Sequence, residues 1–525
     1  MFDQAVTPSD VSPTRRWHHL DALRGFAMLL GIGLHSSLAF FPSFWPVQDK
    51  NASAGGPFDE FLIAVHGFRM PLFFLLSGFF TAMLWRRRGT VALVFHRWRR
   101  IFLPLTLGLF TILPAVDWVS ERGTEAGSEN WAMDLAEEGD IWWPILFGQA
   151  DAVPVAIANG AEVDVRGDDQ GTPLHLAAFM DLPDVAQVLV DAGANGRLKN
   201  INGFTALEVA VWVGSPAVAD VLVAGGAADI RVDSHQWQDI DWFGDGAEFA
   251  AAVLEPEAVW VNEIGLDPWI NQFHHLWFLW FLCWLVTGFA LAAPLGVRLG
   301  HGITSVAVRR RLLWAAFPLT LFFQFQMGNG GNSRAFGPDT STGLVPAAHV
   351  LLYYAVFFGY GAATFDARTD DGEPLIDRLG QHWKIVLPVS VVLVFPLAAG
   401  VTFEGGEWAV AASLQVLYTW GMTFGLMGLF RRLLSGERYW VRYLSDASYW
   451  MYLVHLPLVI LAQDWMRDWD IPRIPKFLAI CWAVSGLLLL TYHYLVRYTP
   501  VGTLLNGLRT RPEPPGNLSL GSSST

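Results

Sequence analysis

Charged residues are scarce in this chain of 525 residues: they make up 16% of it, whereas hydrophobic residues make up 53%. Soluble domains carry about 25% charged residues, so this composition indicates a protein that lies in a lipid bilayer. Cysteine is almost missing, since Cys283 and Cys481 are the only two and both lie in apolar runs. That excludes a disulfide framework and a zinc cluster. A cleavable signal peptide is not visible either, because the first apolar run is long enough to stay in the bilayer as an anchor.

The sequence also has none of the common catalytic signatures: no H-E-x-x-H, no Cys/His ligand spacing, no G-x-S-x-G elbow and no Walker loop. We therefore expect no metal site, no tightly bound cofactor and no nucleic-acid partner. Carboxylates are scarce in the apolar runs as well, which argues against cation transport.

Negative charge is concentrated in one segment. Residues 118–271 contain 27 Asp and Glu residues against 5 Lys and Arg, a balance of −22, and since the whole chain carries −14 the remainder carries +8. The chain therefore combines an acidic soluble insert with a membrane domain that has basic loops.

Ten apolar segments are long enough to span the bilayer, which takes roughly 20 residues per helix. Lipid offers no partner for open backbone groups, so these spans must be helices. The predicted spans are 22–43, 58–84, 100–118, 272–295, 310–327, 343–363, 384–402, 407–430, 442–463 and 475–497.

Lys and Arg residues in the short loops indicate the orientation, because cytoplasmic loops are enriched in them. Loops 86–100, 297–311, 364–384 and 431–442 carry six, four, three and four of these residues, whereas loops 44–57, 328–342 and 401–408 carry one, one and none. Loop 464–476 departs from the pattern with three. We predict that both termini are cytoplasmic and that the acidic insert lies outside, between the third and fourth spans.

The acidic insert contains an internal repeat. Gly160, Gly193 and Gly226 are spaced by 33 residues and each is followed by alanine, and the threonines of "GTPLHLAA" and "GFTALEVA" keep the same spacing. This period together with T-P-L-H is typical of ankyrin repeats, here about three units over 139–237. In that setting His175 is expected to hold a turn and not to bind a ligand. The predicted fold class is therefore all-α: a polytopic membrane bundle of about ten spans with an inserted ankyrin-repeat segment.

The first apolar run, "LDALRGFAMLLGIGLHSSLAFF", carries Arg24 and His35, eleven residues apart. At 100° per residue both side chains lie on one helix face, roughly 16 Å apart along the axis. Gly31 lies on the same stripe and leaves room for a group to approach the backbone. Two interpretations stay open. In one, Arg24 extends to the headgroups and His35 bonds a neighbouring helix; in the other, both face a cavity and serve a pathway.

The second run, "VHGFRMPLFFLLSGFF", carries His66 and Arg69. Arg69 lies near mid-bilayer, where an unpaired arginine costs at least ~2.5–3.5 kcal/mol, so we expect it to face a partner or an anionic ligand. Pro71 leaves a backbone carbonyl free, and Ser77 with Gly78 is expected to serve helix packing.

Two later runs carry polar residues as well. In "YLSDASYWMYLVHLPLVI", Ser448, Tyr452 and His455 follow at i, i+4 and i+7. This polar stripe fits either an interhelical hydrogen-bond seam or a functional face. His274 and His275 open the fourth span in "QFHHLWFLWFL" beside aromatic residues, which also fits a role at the membrane interface.

These groups suit the transfer of an activated group. Histidine takes a proton from a hydroxyl near neutral pH, and arginines in a deep helix and in loop 97–100 suit a phosphate-bearing donor. A base, a phosphate-binding group and a path through the membrane together favour transfer from a donor inside to an acceptor outside.

The chain resembles the acyltransferase 3 membrane family, especially its glucan-modifying branch. "LDALRGFAMLLGIGLH" carries the family's R-x10-H pattern, and "FRMPLFFLLSGFF", "RWRRIFLPL", "HHLWFL" and "YLSDASYWMYLVHLPL" match its other motifs. The resemblance covers about 17–118 and 271–498, so we expect a membrane acyltransferase domain in two parts, followed by a disordered tail at 499–525. The ankyrin insert at 139–237 departs from the family pattern.

The resemblance implies an O-acyltransferase of a bacterial inner membrane, with acyl-CoA as co-substrate, a hydroxyl of an envelope glycan as acceptor and the insert on the periplasmic side. Succinyl and acetyl are the expected acyl groups, and the insert is expected to tune acceptor choice or to bind a protein partner. His35 is implied as the catalytic base with Arg24 as its partner, and the pair Arg97 and Arg100 is implied to contact acyl-CoA. The candidate catalytic residues are His35, Arg24, His66, Arg69 and His455; the candidate substrate-binding residues are Arg97, Arg100, His274, His275, Ser448 and Tyr452.

Two alternatives stay open: a transporter or flippase, and an ankyrin-bearing membrane scaffold without catalysis. The substitution His35→Ala distinguishes them, because it should abolish acyl transfer, only tune transport, and leave a scaffold intact.

Overall fold

The computed structural model describes residues 17–226, 273–299, 313–328 and 335–509, apart from positions 42, 44, 54, 168–169, 201–202, 214 and 370. Within these ranges the chain is helical and contains no β-strand beyond an isolated bridge between Arg368 and Pro374. The end of the third ankyrin unit (227–237), the first residues of the predicted span 310–327, and residues 510–525 of the predicted tail lie outside the described residues.

Three long helices form the first part of the membrane bundle: α1 (His18–Ser37), α2 (Pro57–Arg97) and α3 (Leu103–Glu137). Gly89 interrupts α2 with a φ of 78°, a conformation that glycine adopts at little cost. The chain folds back after this break, since Arg97 donates to the Thr81 hydroxyl over 2.8 Å. A π-helical turn at Trp98–Phe102 then leads into α3.

The insert consists of short helices that follow directly on α3. These are α4 (Trp142–Leu146), α5 (Ala152–Ala158), α6 (Pro173–Phe179), α7 (Pro183–Asp191), α8 (Ala206–Val213) and α9 (Pro216–Ala224). Helix α6 packs on α7 and α8, and α7 packs on α9, as stacked repeats do. Ala132 and Ala136 of α3 belong to the same apolar core, so the stack is built onto the end of the third membrane helix.

His175 holds a turn of the stack, as predicted. Its Nδ1 accepts a hydrogen bond from the Thr172 backbone amide over 3.1 Å, and its Nε2 donates to the Phe204 carbonyl over 2.9 Å. In the following unit Glu208 replaces this histidine and accepts from the Thr205 amide over 2.6 Å. Both side chains therefore satisfy amides that a helix start leaves unpaired.

The second part of the membrane bundle begins after the insert. Its helices are α10 (Trp277–Leu299), α11 (Ala316–Phe325), α12 (Ala348–Asp366), α13 (Leu375–Arg378), α14 (Trp383–Val389), α15 (Phe395–Phe403), α16 (Trp408–Leu434), α17 (Tyr439–Met466), α18 (Arg473–Thr491) and α19 (Pro500–Asn506). Helix α19 corrects the prediction of disorder from residue 499. It forms because Leu505 is buried and the Asn506 side chain donates to the Asp446 carbonyl over 2.8 Å.

Seven helices in the described ranges are long and apolar enough to cross a membrane. One continuous run, Pro57–Gly123, has 67 residues and covers the second and third predicted spans. Helix α11 has only 10 residues, and α16, with 27, is not among the seven. The polytopic all-α architecture is confirmed, whereas the count of about ten spans is not.

Helices α2 and α12 approach each other backbone to backbone. A Cβ added to Gly78 would overlap the carbonyl oxygen of Phe358, and one added to Gly361 would overlap that of Leu75. Small residues permit this close packing between membrane helices. Gly78 thus has the packing role expected from the sequence.

The basic residues of loop 464–476 are held by contacts within the protein. Lys476 donates to a carboxylate oxygen of Asp49 over 2.5 Å, and both side chains are buried. Arg467 lies 3.4 Å from Asp464, and Arg473 donates to the Ser53 hydroxyl over 2.5 Å. These contacts give the loop's cations a structural role that does not depend on the side of the membrane.

Candidate active site

A cavity of about 670 Å³ lies between α1, α2, the start of α10 and α17. All eleven candidate residues line it: Arg24, His35, His66, Arg69, Arg97, Arg100, His274, His275, Ser448, Tyr452 and His455. Arg24 and His35 are roughly 16 Å apart along α1, so the cavity has an arginine-rich end and a histidine-rich end.

Arg24 fixes α1 against α17 at the arginine-rich end. Its Nη2 donates to the Ser445 hydroxyl over 2.6 Å and to the Ser445 carbonyl over 3.2 Å. The same nitrogen lies 3.7 Å from Asp21, one turn earlier. Arg24 therefore faces the cavity with partners on a neighbouring helix, and does not simply extend to the headgroups.

Three histidines form a cluster at the other end. The ring of His35 lies 5.2 Å from the ring of His455, which lies 5.2 Å from the ring of His275. Trp45 stacks on His35 with 5.8 Å between ring centroids. The Trp45 indole donates over 2.8 Å to Gln463, whose amide donates to the His35 carbonyl over 3.0 Å. These contacts hold the cluster in one arrangement.

Backbone carbonyls fix the protonation pattern of two rings in the cluster. Nδ1 of His455 donates to the Tyr452 carbonyl over 2.8 Å, and Nε2 of His275 donates to the Leu453 carbonyl over 3.1 Å. A carbonyl oxygen has no proton, so these nitrogens carry the hydrogens, and in the neutral rings the other two nitrogens are acceptors. Those two, with Nδ1 of His35, are buried and have no hydrogen-bond partner among the described residues. The cluster therefore offers acceptors for a ligand that carries hydroxyl groups.

Arg69 lies against the backbone of α1. A Cβ added to Gly31 would overlap its guanidinium, so Gly31 provides the close approach that the sequence suggested. The Nε of Arg69 is buried without a hydrogen-bond partner in the part of the chain that the structure describes. A cation in this position is available to a negative charge on a ligand.

The arginine-rich end is built around the π-helical turn Trp98–Phe102. Arg97 precedes this turn and is held by Thr81, while its Nε is buried and has no partner among the described side chains and backbone groups. Tyr449 of α17 donates to the Arg100 carbonyl over 2.6 Å. The turn is thereby fixed against α17, and Arg97 and Arg100 both reach the cavity.

Two further histidines, His66 and His274, line the cavity outside this cluster. Nε2 of His66 donates to the Pro338 carbonyl over 3.0 Å. His274 has a φ of 41° and its Nε2 lies 2.9 Å from a carboxylate oxygen of Asp117. A positive φ is uncommon for a residue other than glycine and often marks a functional site.

The polar stripe of α17 serves both interpretations that the sequence left open. Ser448 donates to the Ser445 carbonyl over 2.8 Å within its own helix, and Tyr452 donates to the His275 carbonyl over 2.7 Å. Only the Tyr452 bond joins α17 to another segment, and both residues also line the cavity together with His455.

Several cavity residues were missed in the sequence: Trp45, His96, Asp446, Tyr449, Asn506 and Arg509. Asp446 could have been predicted from the sequence, because it is a carboxylate in an apolar run, two residues before the polar stripe begins at Ser448. Trp45, Asn506 and Arg509 lie at or beyond helix ends, where no periodicity indicates a direction.

The lining of the cavity is strongly basic. It contains five arginines and, among the described residues, a single carboxylate, that of Asp446; the arginines are Arg24, Arg69, Arg97, Arg100 and Arg509. Such a surface favours an anionic ligand, and guanidinium groups suit phosphates in particular.

Comparison with protein families decides the class of this molecule. A family model described as an acyltransferase domain matches residues 17–152 and 221–493, which is most of the chain. The chain belongs to the acyltransferase 3 family. A model for ankyrin repeats, in three copies, matches residues 142–234 of the chain. The resemblance drawn from the motifs is thereby confirmed, and the protein is a multi-pass membrane member of this family with an ankyrin insert.

Curated relatives match a shorter part of the chain. It is similar to the glucans biosynthesis protein C of Escherichia coli strain K12 and to that of Escherichia coli O1:K1 / APEC, each 31% identical over 120 residues. The match covers 23% of this chain and 30% of each relative. The chain thus matches less than a third of the length of these relatives. No solved structure matches it.

Proposed function

We propose that this acyltransferase moves an acyl group, succinyl or acetyl, from acyl-CoA to a hydroxyl of an envelope glycan or a similar saccharide. The observation that carries the proposal is the single cavity that joins a group of arginines to a cluster of histidines with unpartnered ring nitrogens. The arginines suit the phosphates of coenzyme A, and the histidines suit the hydroxyls of a sugar. The printed name of the relatives, which refers to glucans, supports the choice of acceptor.

In the proposed reaction His35 takes the proton of the acceptor hydroxyl as its oxygen attacks the thioester carbonyl carbon. The new C–O bond forms while the carbonyl electrons move onto the oxygen, and Arg69 neutralises this charge. Collapse of the intermediate breaks the C–S bond, and the departing thiolate receives the proton from His35. The products are the ester and free coenzyme A, and the histidine is restored.

Neighbouring residues support these roles. His455 lies beside His35 with its tautomer set by a backbone carbonyl, so it is the second candidate for the proton carrier. Arg24, Arg97 and Arg100 lie at the end of the cavity where the donor's phosphates would enter, while His66 and His274 lie where the acceptor would enter. We place the protein in a bacterial inner membrane, with the arginine-rich end facing the cytoplasm and the insert facing the periplasm.

A direct assay tests this function. Purified protein in lipid nanodiscs is given succinyl-CoA or acetyl-CoA with a glucan acceptor, and release of the coenzyme A thiol is measured together with the mass of the glycan. We expect thiol release that depends on the acceptor and adds the mass of the acyl group. His35→Ala should abolish both signals. Transport of unmodified donor or glycan without ester formation would instead identify a transporter. If neither ester formation nor transport is detected, the protein is a scaffold.

A further inference from the structure

The chain after the last membrane helix lines the arginine-rich end of the cavity. Leu505 is 4% exposed, and Asn506 donates from its side-chain amide to the Asp446 carbonyl over 2.8 Å. Gly507 has a φ of 87°, and a Cβ at this position would contact Arg100. This left-handed turn, which glycine permits, directs the next residues back toward the cavity.

Arg509 lies in the cavity wall two residues further on. Its Nη2 lies 2.6 Å from a carboxylate oxygen of Asp446, and the two side chains are 21% and 10% exposed. The Nε of Arg509 is buried and has no hydrogen-bond partner in the described ranges. One face of this guanidinium is thus held by Asp446, while another donor is unused.

The charge of Asp446 is unfavourable for an anionic donor, because like charges repel in a cavity of low dielectric constant. It is nevertheless the single carboxylate among the described lining residues. A role in holding Arg509 while no ligand is bound explains why a carboxylate stands at this position. When a phosphate enters, the arginine exchanges one oxyanion for another, and guanidinium binds both with similar geometry.

We propose that Arg509 is a donor-binding residue and that Asp446 occupies it until a phosphate of acyl-CoA takes over. The segment from Pro500 to Arg509 is then part of the donor site, together with Arg97 and Arg100. This inference rests on the proposed function, since it assumes a phosphate-bearing donor.

Binding of coenzyme A to the full chain in nanodiscs tests the role of Arg509 without requiring turnover. We expect Arg509→Ala to weaken binding by roughly 10- to 100-fold, the loss of one charge-assisted contact, and Arg509→Lys to retain part of it. Arg442→Ala is the matched control. Arg442 lies at the same end of α17 as Asp446, but it pairs with Glu437 and does not line the cavity. It should change binding by less than twofold.

The exchange itself is tested with Asp446→Asn, alone and combined with Arg509→Ala. If Asp446 competes for Arg509, the asparagine variant binds coenzyme A at least threefold more tightly than the wild type. In the Arg509→Ala background the same change should give a smaller gain, which reflects only the removal of like-charge repulsion. An equal gain in both backgrounds, or none in the wild type, refutes the exchange. Unchanged binding in Arg509→Ala refutes the inference alone, whereas a wild type that does not bind coenzyme A refutes the proposed donor as well.

Discussion

Replacement of His35 tests the proposed chemistry most directly. The ring lies between Trp45 and His455, and its Nδ1 makes no hydrogen bond to a described residue. Its removal therefore costs the protein packing, but it leaves no buried polar group of a neighbour newly unpaired. Loss of activity and loss of stability can be separated at this position.

The expected loss of rate follows from the role of a base. General acid–base catalysis contributes about 10²–10⁴ in rate, which corresponds to roughly 3–5 kcal/mol in the activation barrier at about 1.36 kcal/mol for each factor of ten. His35→Ala and His35→Phe should both lose this amount. The phenylalanine variant keeps an aromatic ring against Trp45, so its thermal stability should stay close to that of the wild type, while the alanine variant loses some packing.

The assay is release of the coenzyme A thiol by protein in nanodiscs at saturating donor, with donor affinity measured separately. Donor affinity should stay within threefold of the wild type, because His35 lies at the opposite end of the cavity from Arg24, roughly 16 Å along α1, and from Arg97 and Arg100. Near-normal turnover in both variants would refute the assignment of the base. If His455→Ala is inactive in that case, the proton carrier lies on α17.

Three further perturbations test other parts of the structure. Arg97→Ala should raise the donor KM by roughly 10- to 150-fold, while Arg99→Ala, which removes an exposed arginine outside the cavity, should leave it within twofold; equal effects would mean that bulk charge alone matters. Lys476→Met leaves the Asp49 carboxylate buried and unpaired, which should cost about 3–5 kcal/mol of stability in thermal unfolding, and the added change Asp49→Asn should recover most of it; no loss in the single variant would contradict the buried ion pair. A reporter enzyme that works only outside the cytoplasm should be active when it is inserted near residue 200. If instead only a reporter that works in the cytoplasm is active there, the predicted orientation is wrong.

Helical periodicity explains what the sequence could predict about the site. Arg24 and His35 share a face of α1 because their spacing is close to three full turns, and the stripe from Ser448 to His455 follows the same rule. A cluster such as His35, His275 and His455 is different. It depends on how three helices pack, and sequence spacing contains no information about distances between helices.

Positions outside regular helices were beyond the reach of such patterns. Arg509 lies after a short helix in a segment predicted to be disordered, and it follows the left-handed turn at Gly507. The number of spans could not be predicted for a similar reason. Apolar composition shows that a segment is buried, but a helix such as α16 can be buried by other helices as well as by lipid. The break at Gly89 lies inside the predicted loop 86–100, so apolar composition located it, although composition contains no information about the backbone conformation of the turn.

The continuity of α3 also determines the electrostatics of the insert. The helix packs against the bundle as far as Gly123, which contacts Val47, and it stays helical to Glu137. The apolar core of the repeat stack begins at Ala132, nine residues further on, which at about 1.5 Å each is about 14 Å of helix. This distance exceeds the screening length of about 8 Å at physiological ionic strength, so charges on the stack interact only weakly with charges at the level of Gly123. Shortening this stretch of helix by a turn or two would bring the acidic repeats within screening range of the membrane bundle.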